Sequence, residues 1–428
     1  MAAELYTLKE NGLFDIPDYS MSDKEIDSAL DKSYQVPITG LELALAENCN
    51  LACRYCYCSS SRNMPSQGLM SEKIAHQAIL WLFDEAEKSK SPKVNITLFG
   101  GEPLLNKPII YSIVAYSQLL AKMRKKHVSY NMTTNGTLLD DEFLEYAKEN
   151  NIQIMVSLDG PQELHDQQCP TLSGKGSFAA AAKGAKKLLR VRPSNVRCTM
   201  IHPTPNLKEL IDFFEKFGFK RALIGPTINP LMSPSSVDFT ADDFNELARQ
   251  EEALLPWILE KLSKKEKIEY SPFAKFLARI PNCAPKRNVK KCGACHGCTY
   301  VGADGSLFPC HRFGGMKEWQ IGHISEPPDY GKMKKFWKEY RKSLVFCEKC
   351  WAWAICQGPC PWEQIQPDGT FNSQPRFCAF LKKRIEAAAF IYAWKLEHEC
   401  EPSCGNEKSK PKPCSCSNQN NGKRGENK

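Results

Sequence analysis

The chain has 428 residues, of which 42% are hydrophobic and 25% charged, so it is long enough for one large domain and one smaller domain. Its formal charge of +8 would suit a nucleic-acid partner, but the lysines and arginines are dispersed along helix-like stretches, and we expect no nucleic-acid partner. No apolar run reaches the length of a membrane span, and the first residues lack the features of a signal peptide. We therefore expect no membrane association and a cytoplasmic location.

Cysteine usage indicates metal binding. The chain holds 20 cysteines, many of them closely spaced. Because the cytosol keeps thiols reduced, disulfide bonds are disfavoured there, and clustered cysteines are better explained as metal ligands.

Strand-like and helix-like patterns alternate after an N-terminal extension, residues 1–38, for which a short helix is predicted over 23–32. The strands predicted between residues 39 and 228 are 41–46, 94–99, 128–133, 152–158, 196–201 and 221–225. The helices predicted between them are 71–89, 107–126, 140–150, 177–191 and 206–217. This order predicts an α/β domain with a parallel sheet and crossover helices.

Three cysteines lie on one loop after the first predicted strand. Cys49, Cys53 and Cys56 have C-x3-C-x2-C spacing. A closed four-iron cluster takes four thiolates, so three thiolates would leave one iron free for another ligand. A structural zinc ion usually takes four protein ligands, which makes zinc the weaker explanation.

This loop resembles the signature of radical S-adenosylmethionine (SAM) enzymes, C-x3-C-x-aromatic-C, with Tyr55 in the aromatic position. The resemblance implies a partial (β/α)6 barrel of the TIM type. It also implies that SAM binds the open iron and is cleaved by one electron to a 5'-deoxyadenosyl radical. In such barrels the chemistry belongs at the carboxyl ends of the strands.

Further strand ends resemble segments that contact SAM in this family. The second predicted strand ends in a Gly-Gly-Glu-Pro sequence, where glycine would permit close backbone approach to a ligand. Beside Tyr55, the resemblance implies these SAM-contacting residues: Gly100, Gly101, Glu102, Pro103, Thr134, Asn135, Ser157 and Asp159. Ordinary loop caps and turns are the alternative explanation for any one of them.

The next part of the chain carries no recognisable chemistry. Residues 229–282 are interpreted as a bridging helical region with a Pro-rich start and long helical patterning over 241–265. Two isolated cysteines precede it: we expect Cys198 in the core and Cys169 as a loop thiol.

A second block, residues 283–382, contains ten cysteines whose order and spacing resemble the SPASM extension of radical SAM enzymes. The resemblance implies two auxiliary four-iron clusters. Auxiliary cluster II would be held by Cys347, Cys350, Cys356 and Cys378. Auxiliary cluster I would be held by Cys292, Cys310 and Cys360, with Cys298 favoured over Cys295 as the fourth ligand and an open iron as the third alternative. A pair of zinc ribbons is the competing explanation.

The C-terminal part is predicted to close the fold with an amphipathic helix over 377–398, and residues 383–400 are assigned to it as a unit. Residues 401–428 have the composition of a disordered tail. Cys58, Cys283 and the four cysteines between 400 and 416 are interpreted as spare thiols.

One position bears on the reaction. His311 follows Cys310 where sulfatase-maturing relatives carry an aspartate that accepts a proton, so the resemblance favours maturases of ribosomal peptides. His311 is a candidate base, and a structural hydrogen-bonded histidine is the alternative.

The sequence therefore predicts a radical SAM peptide maturase with SAM and three [4Fe-4S] clusters as cofactors. It would abstract hydrogen from a ribosomally made peptide and install an intramolecular crosslink, with a thioether as the first expectation and a carbon–carbon bond as the second. The enzyme alternative is oxidation of Cys or Ser to formylglycine, as in anaerobic sulfatase maturation. The non-enzyme alternative is a zinc-binding interaction protein. The expected partners are the precursor peptide and a small reductant protein of the flavodoxin or ferredoxin type.

Overall fold

The structure is a computed structural model and describes residues 18–34, 38–57, 68–230, 234–266, 271–282, 288–373 and 377–399. The predicted tail, residues 401–428, and the spare thiols Cys58 and Cys283 lie outside these ranges. Within them, every helix is too short or too polar to traverse a bilayer.

Six parallel strands follow one another in chain order and confirm the predicted (β/α)6 arrangement in the described part of the chain. Neighbouring strands are hydrogen-bonded in the order β6-β5-β4-β3-β2-β1. The strands are β1 Gly40–Ala46, β2 Lys93–Gly100, β3 His127–Thr134, β4 Ile152–Ser157, β5 Asn195–Met200 and β6 Arg221–Pro226. The carboxyl ends of all six therefore lie at one edge of the sheet.

The helices agree with the predicted pattern, including the N-terminal helix. They are α1 Asp23–Ser33, α2 Glu72–Lys88, α3 Lys107–Met123, α4 Asp141–Glu149, α5 Gln162–Gln168, α6 Phe178–Val191, α7 Leu207–Phe217, α8 Ala241–Ala253, α9 Leu255–Ser263, α10 Ser271–Leu277, α11 Tyr330–Ser343, α12 Trp353–Cys356 and α13 Cys378–Glu399. The short α5 was not predicted. The predicted boundary between the second cysteine block, 283–382, and the closing helix, 383–400, falls inside α13. This helix begins at Cys378, a predicted ligand of auxiliary cluster II.

The helical patterning predicted over 241–265 corresponds to two helices, α8 and α9. Pro256 lies in the first turn of α9. Proline has no N–H to donate and its ring clashes with the preceding turn, whereas it is tolerated where a helix begins. The helix therefore ends at Ala253 and a new one begins at Leu255.

The C-terminal cysteine region extends the same sheet. Strand β7, Thr299–Val301, pairs in parallel with β1, and the antiparallel strands β8, Ser306–Phe308, and β9, Gly322–His323, continue from it. The described residues thus form one nine-stranded sheet. Strands of two or three residues are too short to show a periodic pattern, so sequence reasoning missed this junction.

The N-terminal helix α1 packs on α11 of the C-terminal region. Three ion pairs connect the two helices: Asp31 to Lys334, Asp27 to Lys338 and Asp23 to Lys342. Such exposed pairs contribute little each, so the buried side chains of Ile26 and Leu30 provide most of the attachment.

The two faces of the parallel sheet differ in polarity. On β2, Val94, Ile96 and Leu98 are buried, whereas Asn95 and Thr97 between them are partly exposed. Asn131 on β3 donates a hydrogen bond to Asn95 over 2.7 Å. One face is therefore packed as a core, and the other is a polar surface that leads to the carboxyl ends of the strands.

Candidate SAM and iron–sulfur site

The loop with Cys49, Cys53 and Cys56 begins at the carboxyl end of β1 and is held from two sides. Ala52 N donates to Pro170 O over 2.8 Å, and Arg54 N donates to Gln168 O over 2.9 Å. On the other side, Glu102 N donates to Asn48 O over 3.0 Å. The loop is therefore fixed between the end of β2 and the segment that follows α5.

The three thiols of this loop lie close enough for their charges to interact. Burial, together with Glu102 and the other two thiols, raises the pKa of Cys49 to about 12. Leu51 N donates to Cys49 Sγ over 3.4 Å. Because thiolate is the metal-binding form, iron binding at this loop would release protons.

The two glycines after β2 allow the chain to touch the cysteine loop. Gly100 has a φ of +138°, and a Cβ atom there would lie 2.2 Å from the carbonyl oxygen of Ala46. A Cβ atom on Gly101 would lie 2.3 Å from the carbonyl oxygen of Asn48. Glycine is thus required at both positions for this close approach, whatever further contact they make with SAM.

Glu102 is fully buried and connects the ends of β2 and β3. Its carboxylate accepts hydrogen bonds from Thr134 Oγ1 over 2.7 Å, Asn135 N over 2.8 Å and Leu104 N over 3.1 Å. Burial raises the pKa of Glu102 to about 7, although these hydrogen bonds act in the opposite direction. Pro103 begins the buried turn that follows, Pro103–Asn106.

Asn135 brings the end of β3 to the cysteine loop. Its Nδ2 atom donates to Asn50 Oδ1 over 2.9 Å and lies 3.8 Å from Cys49 Sγ. Asn50 in turn donates to Thr137 Oγ1 over 2.8 Å. The predicted SAM-contacting residues on β2 and β3 therefore meet at the three-thiol loop.

Tyr55 and Asp159 contact each other on the far side of this loop. Tyr55 Oη donates to Asp159 Oδ2 over 2.7 Å, and Thr199 N donates to Asp159 Oδ1 over 2.9 Å. Asp159 is buried, which raises its pKa. Ser157 is partly exposed at the end of β4. The geometry gives Tyr55 and Asp159 a part in holding the loop, and their contact with SAM stays a prediction.

Cys169 lies on a loop, as expected, but sequence reasoning missed its burial and its contacts. The structure places this thiol after α5, 3% exposed, where it donates to Asp159 Oδ2 and Tyr55 Oη, each over 3.3 Å. Cys169 also contacts Cys53. It is therefore a buried loop thiol beside the three-thiol loop, whereas Cys198 lies in the core as expected.

A second group of thiols lies beside β1 and β7. Cys298 interacts electrostatically with Cys292 and Cys360, and Cys310 interacts with Cys360 and Cys298. Burial raises the pKa of Cys360 to about 12. Cys295 also interacts with Cys292 and Cys298, but it is fully buried, and its backbone is bonded to Pro309 and Tyr34. The interactions of Cys298 with Cys360 and Cys310 support Cys298 as the fourth ligand of auxiliary cluster I, an assignment that stays a prediction.

A third group of thiols lines a small, partly open chamber between the turns before α12 and the start of α13. Burial and the neighbouring thiols raise the pKa of Cys347 to about 12 and that of Cys378 to about 11. The chamber is lined by Cys347, Cys350, Cys356 and Cys378 with Ala352, Trp353, Gly358, Pro359, Leu381, Lys382 and Ile385. Four thiols around a largely apolar space fit the donor set of an iron–sulfur cluster.

The thiol groups are not arranged around single ions. Across the described ranges, no three His, Cys, Asp or Glu side chains converge on a point where one metal ion would bind. In a four-iron cluster each thiolate binds its own iron, so the ligands stand farther apart than around one ion. The arrangement is compatible with such clusters.

His311 connects the C-terminal region to the barrel. Its Nδ1 and backbone N lie 2.8 and 3.0 Å from Glu42 Oε2 on β1. Its ring centroid lies 4.8 Å from that of Phe99 and 5.8 Å from that of Tyr57. The imidazole therefore sits between the end of β2 and Cys310, with one nitrogen occupied by Glu42. A lone glutamate inside the apolar strand 41–46 was the sequence signal for this pair.

An arginine lies beside the thiols of the second group. Burial alone would lower the pKa of Arg312, but Cys360 and Glu363 raise it above its usual range. Arg312 Nη1 lies 3.3 Å from Glu363 Oε1. A buried cation at this place favours the thiolate form of Cys360.

Comparison with known proteins agrees with this geometry. The family model of the radical SAM superfamily matches residues 43–217. A cysteine-type anaerobic sulfatase-maturating enzyme of Clostridium novyi is 24% identical over 363 residues, which cover 81% of this chain and 95% of the relative.

Two solved structures share the fold. Native anSMEcpe with bound AdoMet superposes with a TM-score of 0.72 at 20% identity and covers 85% of this chain and 100% of its own. Streptococcus suis SuiB bound to the precursor peptide SuiA gives a TM-score of 0.56 at 16% identity, covering 82% of this chain and 79% of its own. The named relatives are enzymes, which agrees with the prediction of an enzyme over a zinc-binding interaction protein. Residues 43–217 are thus a radical SAM domain, and the chain is an enzyme homologous to anaerobic sulfatase-maturating enzymes.

Proposed function

We propose that this radical SAM enzyme is a cytoplasmic peptide maturase that installs a crosslink in a ribosomally made peptide. A thioether is the first expectation for this crosslink, and a carbon–carbon bond is the second. The observation that carries the proposal is the grouping of eleven cysteine thiols into one set of three on the SAM side and two sets of four in the C-terminal region. When bound, SAM and the clusters would supply a carbon radical that removes a hydrogen atom and redox centres that take up an electron.

The chain's own residues provide placement. Glu102 and Asn135 hold the ends of β2 and β3 against the three-thiol loop, so a ligand at the open side would meet a preformed surface. The polar face of the sheet, with Asn95 and Asn131, offers amide groups to the backbone of an extended peptide. A peptide lying on this face would reach both the SAM side and the thiols beside β7.

The proposed reaction balances as a two-hydrogen oxidation of the peptide. One hydrogen leaves a carbon as an atom, and the other leaves the cysteine thiol as a proton while one electron is released when the sulfur–carbon bond forms. A proton acceptor is required near that bond, and His311, with Nδ1 bound to Glu42, is the candidate. The related SuiB structure contains a precursor peptide, which supports a peptide substrate for this chain.

A second function is supported by the sequence relatives. The Clostridium novyi relative, which is aligned over 95% of its length, is named as a cysteine-type anaerobic sulfatase-maturating enzyme. Formylglycine formation in a target protein is therefore the alternative. His311 in place of the expected aspartate counts against it, and the same chemistry of hydrogen removal would serve both functions.

Mass spectrometry distinguishes the two functions. We would incubate the anaerobically reconstituted enzyme with dithionite, SAM and a cysteine-bearing peptide encoded beside its gene. A thioether predicts loss of two hydrogens per crosslink together with loss of the alkylatable thiol. A carbon–carbon crosslink predicts the same mass change with the thiol retained.

The aldehyde product needs its own readout, because serine oxidation also removes two hydrogens. A hydrazide reacts with an aldehyde but does not react with a thioether or carbon–carbon crosslink. A hydrazide-reactive product would contradict the crosslink proposal and establish the alternative function.

A further inference from the structure

An exposed apolar patch lies on the turns that carry two of the thiols of the third group. We define the apolar patch as Val345, Phe346 and Trp351, which are 61%, 64% and 41% exposed. Large apolar side chains exposed together on a surface mark sites of interaction with other molecules.

The apolar patch surrounds the thiols that line the chamber. Cys350 N donates to Cys347 O over 3.2 Å, and Trp353 N donates to Cys350 O over 3.0 Å, so consecutive tight turns run through the patch. Cys347 is 8% exposed between Phe346 and the chamber. One layer of backbone therefore separates the patch from the chamber in which auxiliary cluster II is expected.

The surroundings of the apolar patch are positively charged. Lys349 is exposed between the two thiols, and Lys382 lines the chamber and lies within electrostatic reach of Cys378. The acidic residue of the same turns, Glu348, lies 2.8 Å from the buried Arg341 and is neutralised by it. The patch thus combines apolar contact area with net positive charge.

We propose that the apolar patch, with Lys349 and Lys382, is the docking surface for a small acidic redox protein that carries a flavin or an iron–sulfur centre. In the exchange, the iron site of the third thiol group, reduced by the electron released from the peptide, loses one electron and the oxidised partner gains it, and a flavin partner takes up a proton from water as it is reduced. This inference rests on the proposed iron–sulfur function, and it adds the place at which the electron-transfer partner binds.

Charge argues against two other occupants of the apolar patch, namely the C-terminal segment of this chain and a second copy of the protein. Residues 401–428 contain six basic and three acidic residues, so this segment is repelled by a basic surface, and so is the same patch of a second copy. Complexes of electron-transfer proteins bury less than about 1,200 Å², so a patch of three apolar side chains suits a transient redox complex. Opposite charges on the two proteins would guide their encounter.

The test measures binding and not only turnover. Oxidised flavodoxin, a small acidic flavoprotein, is titrated into the anaerobically reconstituted full chain by isothermal calorimetry at low and high salt. The double variant Phe346→Ser/Lys349→Glu is expected to weaken binding at least about tenfold, and high salt to weaken binding of the unmodified chain. The matched control, Leu119→Ser/Lys122→Glu, changes a leucine of similar exposure, 55%, and an exposed lysine, both on helix α3, and should bind within about twofold of the unmodified chain.

Lys382→Glu provides a second variant with the apolar side chains intact, and it too should weaken binding. Equal affinities of the patch variants and the control variant would overturn the proposal. It would also be overturned if the patch variants abolished self-association, or attachment to anionic vesicles, without changing flavodoxin binding. With dithionite as the reductant, Phe346→Ser/Lys349→Glu and the matched control should retain iron and form peptide product. Loss of product in the unmodified chain under those conditions would instead count against the proposed function.

Discussion

The three-thiol loop and the four-thiol chamber hold cysteines in opposite surroundings. At the loop, Glu102, Asn135 and Asn50 form a hydrogen-bonded network that reaches Cys49. At the chamber, the space between the thiols is lined mainly by apolar groups such as Trp353 and Ile385. A cluster that must accept a polar ligand requires hydrogen-bonding groups beside it, whereas a cluster whose irons are all bound by thiolates requires only enclosure.

The largest effect that this contrast predicts is at the loop. Cys53→Ala should lower dithionite-dependent formation of 5'-deoxyadenosine from SAM by about 10³-fold or more, because the loop would have only two thiolates for iron. Cys198→Ala, which changes a core cysteine on β5, is the matched control and should keep the activity. Retained SAM cleavage in Cys53→Ala would refute the assignment of the loop.

The network around the loop gives the next largest effect. Glu102→Ala should reduce SAM cleavage by about 10- to 100-fold, because it leaves the buried donors of Thr134 and Asn135 without their acceptor. Glu142→Ala, an exposed glutamate at the start of α4, is the control. If both variants cleave SAM equally fast, the network does not organise the site.

The chamber should respond differently. Cys350→Ala is expected to keep SAM cleavage within about twofold of the unmodified chain and to reduce peptide product at least about tenfold. The reason is that only auxiliary cluster II, which the chamber would hold, loses a ligand. The count of iron per chain should fall in Cys350→Ala and stay unchanged in Cys198→Ala, which alters a buried core thiol outside the predicted ligand sets. Unchanged product in Cys350→Ala would show that the chamber is dispensable.

The smallest predicted effect concerns Glu42, whose charge lies near Cys298 and Cys310 and which binds His311. Glu42→Gln should raise the reduction potential of the cluster held there by on the order of 50 mV, since removing a negative charge makes reduction easier. Redox titration followed by electron paramagnetic resonance measures the shift. Glu363 lies beside Arg312 in the same group, so the variant Glu363→Gln should shift the potential in the same direction. A potential that falls in both variants would contradict this electrostatic account.

Much of the fold was predictable because its signals are local. The six strands and their helices follow from periodicity, and the thiol groups follow from cysteine spacing. The division of the helical stretch 241–265 into two helices also has a local sequence signal in Pro256.

The remaining features depend on distant contacts that no local pattern encodes. His311 and Glu42 are 269 residues apart, and Cys169 and Tyr55 are 114 apart. The pairing of β7 with β1 involves three residues on each side. The Cys169–Tyr55 contact forms only when the ends of the parallel strands come together, and the other two form only once the C-terminal region has added to the sheet. The surroundings of the thiols were therefore harder to predict than their spacing.

The central claim is that the thiols hold three iron–sulfur clusters. Metal and sulfide analysis of the full chain, purified and reconstituted without oxygen and combined with Mössbauer spectroscopy, tests this claim most directly. The account predicts about twelve irons and twelve sulfides per chain, all in four-iron clusters. About four irons per chain, or zinc in place of iron in the C-terminal region, would contradict it.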